Sequence, residues 1–131
     1  MNFFTSHCLI VAVGLRRDMP LVKIYKSGFN GVTLSHVHIP GGEIIDLCFL
    51  FETKNLLTLT KTNGGGSVIS IFQEDKLLEF KIIKEELRRI VPSGMNPDEF
   101  LLVGARYIKL WQFLIFFDDK YEGYFRTTPS L

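Results

Sequence analysis

Cysteine and histidine are scarce in this 131-residue chain, and each scarcity narrows the chemistry open to it. Cys8 and Cys48 stand alone, in no spacing that a structural zinc or a redox pair uses. Both lie inside apolar runs and read as two reduced core thiols of an intracellular protein. A Cys8–Cys48 disulfide is the competing reading. An excess of one charge is also lacking: 15 Lys and Arg against 14 Asp and Glu leave a net +1. Such a near-neutral chain carries no strong electrostatic footprint for DNA, RNA or an anionic membrane. Ile108–Phe117 is apolar but too short to span a bilayer, and Lys109 and Gln112 interrupt it. The start, Met1-Asn2-Phe3-Phe4-Thr5-Ser6-His7, has no basic region of the kind that opens a signal peptide, and Arg16-Arg17 come after the short apolar run. The expectation is a soluble intracellular protein, nuclear and/or cytoplasmic, with neither nucleic acid nor membrane as partner.

Chemistry-bearing constellations are equally thin. His36-Val37-His38 puts two imidazoles on one strand face, a spacing some metal sites use. His7 is the only other histidine, and no Cys or carboxylate cluster lies nearby in sequence. Gly64-Gly65-Gly66 is followed by no Lys-Ser/Thr and leads into an expected strand, so it reads as a hairpin loop and not a phosphate cradle. No Gly-x-Ser-x-Gly is present, and nothing orders Ser, His and Asp into a triad. Lys84, Arg88 and Arg89 sit beside Glu85 and Glu86, a self-compensated solvated face. The sequence nominates no catalytic residue, no cofactor-binding residue, no metal ligand and no cofactor. The expectation is a protein that is not an enzyme.

Apolar residues, at 47% with 12 Phe, against only 22% charged residues, are enough for one packed core and argue against disorder. The pattern is that of strands. Glu43–Gln73 holds three in a row, Ile44–Phe51, Leu56–Thr62 and Val68–Gln73, separated by Thr53–Asn55 and Asn63-Gly64-Gly65-Gly66. Ile45, Leu47, Phe49 and Phe51 would share one face of the first. Leu57 with Leu59 and Ile69 with Ile71 would share faces of the next two. Upstream, Cys8–Gly14 reads as a strand buried on both faces, Arg16–Pro20 as a polar loop, and Leu21–Lys26 as its hairpin partner. Ser27–Gly31 is turn-like, Val32–Ile39 alternates again, and Pro40-Gly41-Gly42 breaks the chain. Residues 74–90 fit either a broad helical stripe or two strands, Leu77–Ile83 and Leu87–Val91. Phe100–Ala105 and Tyr107–Phe113 follow, and after Phe117 the chain reads as a polar tail, residues 118–131.

Three hairpins can be laid over one another. Leu9–Val13 leads to Val22–Lys26, Leu56–Thr60 to Ile69–Gln73, and Leu101–Ala105 to Ile108–Gln112. The second strand of each runs apolar–polar–apolar–aromatic–polar, with Tyr25, Phe72 and Trp111 as the aromatics. Their spacing is close to the roughly 40–45 residues of four-stranded propeller blades. A blade buries its faces only against neighbours, which accounts for strands that are apolar on both faces. This repetition favours strands over a helix in 74–90, and places Trp111 and Phe113 in the core.

The third repeat resembles the end of a WD repeat. Asn96-Pro97-Asp98-Glu99 stands where that family has a Ser-Pro-Asp-Gly turn, and Ile108-Lys109-Leu110-Trp111 matches its Ile-x-Leu-Trp pattern. Gln112 replaces the usual Asp, and no Gly-His pair precedes any repeat. The Asp–His–Ser/Thr–Trp network of well-formed WD repeats therefore lacks its usual members, and the blades are degenerate. Over nearly its whole length the chain is similar to the C-terminal WD-like segment of the anaphase-promoting complex subunit 4 family, through Val32–Gly42, Ile44–Phe51, Leu56–Gln73, Phe100–Phe113 and Asp118-Asp119. The resemblance implies half of a split propeller in a non-catalytic scaffold subunit of a cell-cycle ubiquitin ligase.

The expected architecture is thus all-β: about three degenerate WD-like blades over residues 1–117, a partial propeller. Its expected partners are the protein subunits of a larger complex and the rest of its own propeller. The alternatives are a small ligand- or metal-binding β domain using His36 and His38, or a propeller subunit of another assembly, such as trafficking or ribosome biogenesis.

Overall fold

The structure, a computed structural model, describes residues 2–7, 10–15, 20–28, 31–50, 55–117 and 121–128, and the side chains of 20–28, 31–50, 55–114 and 123–128. These residues form twelve strands in three antiparallel sheets, with no helix among them. The first sheet contains β1 (Asn2–His7), β2 (Ile10–Leu15), β3 (Leu21–Gly28) and β4 (Gly31–His38). The second contains β5 (Ile44–Phe49), β6 (Asn55–Lys61), β7 (Ser67–Gln73) and β8 (Lys76–Ile83). The third contains β9 (Leu87–Pro92), β10 (Glu99–Gly104), β11 (Tyr107–Phe117) and β12 (Tyr121–Thr127). Every strand pairs with its neighbour in sequence, so each sheet is a simple meander. The first strands of the sheets lie side by side, with β5 against β1 and also against β9.

Residues 74–90 are two strands, β8 and β9, as the repetition favoured. A helix would have drawn the apolar residues to one stripe. Instead Ile83, Leu87 and Ile90 are buried while Phe80 and Ile82 stand exposed on an outer edge strand. The three superposed hairpins are the middle pairs β2–β3, β6–β7 and β10–β11.

Two expectations differ from what is observed. The stretch 118–131 is more than a polar tail, because its residues 121–127 form β12, paired along β11 from Trp111↔Thr127 to Phe117↔Tyr121. An edge strand needs apolar residues on one face only. Phe125 supplies them, packed 5.0 Å from Phe113 and edge-on, 6.1 Å, to Phe100. In β5 a bulge between Ile44 and Asp46 breaks the expected alternation. It places Ile44, Leu47 and Phe49 together in one core and turns Ile45 and Cys48 toward the other.

The second sheet is the centre of the molecule. One core joins it to the first sheet: Val22, Ile24, Val37 and Ile39 pack on Ile44, Leu47, Phe49, Leu56 and Phe72. The other joins it to the third: Leu57, Leu59, Ile69, Ile71 and Ile83 pack on Ile90, Phe100, Leu102, Trp111, Phe113 and Phe125. Each fully buried aliphatic or aromatic side chain here contributes roughly 1.5–3 kcal/mol. The Arg16–Met19 loop, Cys8 and Phe51 lie outside the described residues.

Candidate interaction site

The sheets present two kinds of surface: two clefts between them and two uncovered faces at the ends of the stack. Both clefts are fastened by side chains of the second sheet. Asp46 lies in the β5 bulge, and its carboxylate accepts from Leu47 N–H with one oxygen and from Ile90 N–H with the other, each at 2.9 Å. The second bond crosses from β5 to β9 and occupies a donor that the edge of the third sheet would otherwise leave open. Ser67 Oγ donates to Glu85 O at 3.0 Å and accepts from Leu87 N–H at 2.9 Å, which pins the link between β8 and β9. Thr60 Oγ1 does the same for the link between β4 and β5, donating to Pro40 O at 2.7 Å.

Between the first and second sheets lies a recess of about 160 Å³. Ile24, Phe49 and Leu56 form its floor, and Lys26, Thr33, Ser35 and Glu74 its rim. Lys26 Nζ and Glu74 Oε1 meet at 3.2 Å across the mouth. Both side chains are well exposed, so this ion pair contributes little to stability. Deeper in the same interface Thr58 and Ser70 oppose one another across β6 and β7. Both hydroxyls are fully buried and have no hydrogen-bond partner among the described residues.

Between the second and third sheets Trp111 is the central group. It is buried, its indole N–H donates to Tyr107 Oη at 2.9 Å, and Lys81 Nζ lies 5.2 Å above its ring. Lys109 Nζ stands 5.3 Å over the Tyr107 ring. Burial raises the Tyr107 phenol above its ordinary value, and the nearby Glu85 charge adds to that, against the opposing Trp111 hydrogen bond. The indole partner of Trp111 is thus a tyrosine of its own strand. Gln112 bonds sideways: it donates to Glu99 at 2.9 Å and accepts from Arg126 at 3.1 and 3.2 Å, a polar ladder across β10, β11 and β12.

The residues considered for chemistry do not converge. His36 and His38 are both exposed on β4, opposite Lys23 and Leu21 of β3. No group of three potential metal ligands occurs among the described residues, and the side chain of His7 lies outside them. Gly64-Gly65-Gly66 is a hairpin loop. Gly65 alone has positive φ, at 90°, while Gly66 is required sterically, since a Cβ there would sit 2.7 Å from Ile83 O. Lys84, Arg88 and Arg89 are exposed. Cys48 is a free thiol pushed up to about 12, first by burial and then by the Asp46 charge, so it remains protonated at neutral pH. The disulfide alternative involves Cys8, outside the described residues.

Asp46 and Ser67 were not singled out from sequence. A signal existed for Asp46: a lone carboxylate inside Ile44-Ile45-Asp46-Leu47-Cys48-Phe49 stays in such a run only where it has donors to satisfy. Nothing marked Ser67.

On the third sheet, the side away from the second carries Val91, Leu101 and Leu110 in one cross-strand row and Arg89, Val103 and Ile108 in the next. Leu101, Val103 and Leu110 are half-buried and Ile108 is exposed. On the first sheet, the side away from the second carries Tyr25 opposite Leu34 and Ser27 opposite Val32, all exposed. No family model matches the chain, and no curated protein matches it.

Proposed function

We propose that the three sheets are degenerate WD-like blades of a partial β-propeller, and that the protein is a non-catalytic scaffold and protein-interaction module within a multi-subunit complex. The observation that carries this reading is the stack itself. Three successive four-stranded meanders pack face to face with β1, β5 and β9 side by side; the outer face of the third sheet is apolar, and that of the first exposes Tyr25, Leu34 and Val32 beside Lys23, His36 and His38. A closed ring uses about four to eight such sheets. The three described sheets leave an end face on each side, which supports a reading in which further sheets cover them. The resemblance to the anaphase-promoting complex subunit 4 family makes a cell-cycle ubiquitin ligase the assembly to test first. Within it the chain would bind protein subunits and the rest of a propeller, in the nucleus and/or cytoplasm.

The test is affinity purification of the chain in its native gene product, with mass spectrometry of what accompanies it. Recovery of anaphase-promoting complex scaffold subunits supports the full reading. Recovery of another stable assembly keeps the scaffold role and rejects that complex. A chain that is a stable monomer and recovers nothing rejects the scaffold role.

A further inference from the structure

The two end faces are the two halves of a junction that the molecule already makes internally. The register shows this. Leu56 pairs with Phe72 in the second sheet, and Phe100 with Trp111 in the third. Phe72 packs toward the first sheet and Trp111 toward the second, each against the sheet that precedes it. With these pairs superposed, Leu57, Leu59, Ile69 and Ile71 correspond to Leu101, Val103, Ile108 and Leu110. The first four are the side chains with which the second sheet receives the third, and all are 0% exposed. Their counterparts are aliphatic at all four positions, yet Ile108 is 58% exposed and the other three are only half-buried. The third sheet therefore carries the receiving half of a junction with nothing docked on it.

The outer face of the first sheet carries the matching aromatic, with Lys23 opposite His36 on one side of it and Ser27 opposite Val32 on the other. Tyr25 aligns with Phe72 and Trp111, faces away from the second sheet, and is 36% exposed where the other two are 2% and 5%. The receiving face also has the anatomy of an interface, with apolar rows at its centre and the Glu99–Gln112–Arg126 ladder along one border.

We propose that a second copy of this chain covers these faces: its first sheet, led by Tyr25, docks on Leu101, Val103, Ile108 and Leu110 of the third sheet. The inference rests on the propeller reading above. Inserting and receiving faces lie at opposite ends of one chain, so the contact is head to tail. The described sheets of two copies number six, inside the range of about four to eight at which such rings close. A two-fold axis makes the contact twice and covers both end faces of the described sheets.

The test co-expresses two differently tagged copies and measures capture of one by the other, together with the mass of the purified chain in solution. The expected result is a dimer with efficient co-capture. Ile108→Asp and Tyr25→Asp each remove it, by at least tenfold in apparent affinity, while circular dichroism and cooperative melting of each variant show the fold intact. Both positions are solvent-exposed in the single chain, so neither variant is expected to unfold it. Co-expressing an Ile108→Asp copy with a Tyr25→Asp copy leaves one of the two junctions unaltered, so capture returns in part. A monomer at every concentration, no co-capture, an unlimited ladder of sizes, or a dimer indifferent to either substitution overturns the proposal. A monomer that still recovers other subunits from its native gene product rejects the second copy and leaves the scaffold reading standing. A monomer that recovers none rejects both.

Discussion

The second and third sheets are built from the same strand order and nearly the same residue types, yet one is covered on both faces and the other on one. In the second, Leu56, Leu57, Leu59, Ile69, Ile71 and Phe72 are all essentially inaccessible. In the third, only the side of Phe100, Leu102, Trp111 and Phe113 reaches that state. The difference lies in neighbours and not in composition. An aliphatic residue at a given register position is core or surface according to whether another sheet lies over it. A polar ladder such as Glu99–Gln112–Arg126 is tolerated on the third sheet because that face meets solvent.

The sharpest break of this comparison substitutes the same residue type at the same register position. Ile69→Asp puts a charge without a partner between two sheets and should destabilise the fold by more than about 4 kcal/mol. Ile108→Asp should cost under about 1 kcal/mol in protein dilute enough to keep copies apart. Urea unfolding of the two variants measures both, and equal losses would mean that the third sheet is covered in the folded monomer. Next comes the aromatic of the third strand. Trp111→Ala should cost about 3–5 kcal/mol, with Tyr25→Ala well below it. A Trp111→Ala protein melting within a degree or two of the parent would show that the indole is not core. Asp46→Ala removes the charge-assisted bond to Ile90 N–H, and a loss of about 1–3 kcal/mol is expected. Amide exchange should quicken at Ile90 first, ahead of the second sheet.

Cys48 tests the central sheet through pH. Its thiol, normally near 9.0, is pushed up to about 12 in the folded chain. Between those values only the unfolded chain gives up the proton, so stability falls as pH rises from about 9 toward about 12 and is unaffected below that window. Cys48→Ala should show a shallower alkaline decline than the parent in unfolding curves at about pH 8 and pH 10.5, and parallel declines would sink the assignment. The smallest effect belongs to the paired hydroxyls. Replacing Thr58 by Val and Ser70 by Ala together removes two buried groups without partners among the described residues, and should be neutral or stabilising by about 1 kcal/mol. A loss of similar size would reveal partners for them.

How legible all this was in the sequence depended on the element. The middle hairpins could be read because their second strands alternate cleanly and end in an aromatic, so Tyr25, Phe72 and Trp111 align correctly. The first strands could not be placed to the residue. Leu101-Leu102-Val103 matches Leu56-Leu57-Thr58 as a string, but cross-strand pairing matches Phe100 with Leu56. A slip of one residue exchanges the two faces, and hydrophobicity is blind to it when both faces are apolar. The β5 bulge was hidden for the same reason, since Ile44 and Ile45 are interchangeable to a pattern. β12 was missed because Tyr121-Glu122-Gly123-Tyr124-Phe125-Arg126-Thr127 is polar enough for a tail, and what holds it is pairing to β11. Asp46 could be read as a carboxylate in need of donors, but its partner could not, because that N–H lies 44 residues away in sequence.

The strictly sequential strand order has a consequence for how the chain is made. No strand waits for a partner from another sheet, so each meander can form from a contiguous piece of chain as it leaves the ribosome, with short loops to close. A first sheet finished alone still shows the face destined for the second, and the second then shows the face destined for the third. Over the described sheets, synthesis therefore moves a sticky surface along the molecule. While such a surface is open, the growing protein is most exposed to misassembly, and a chaperone has most to hold.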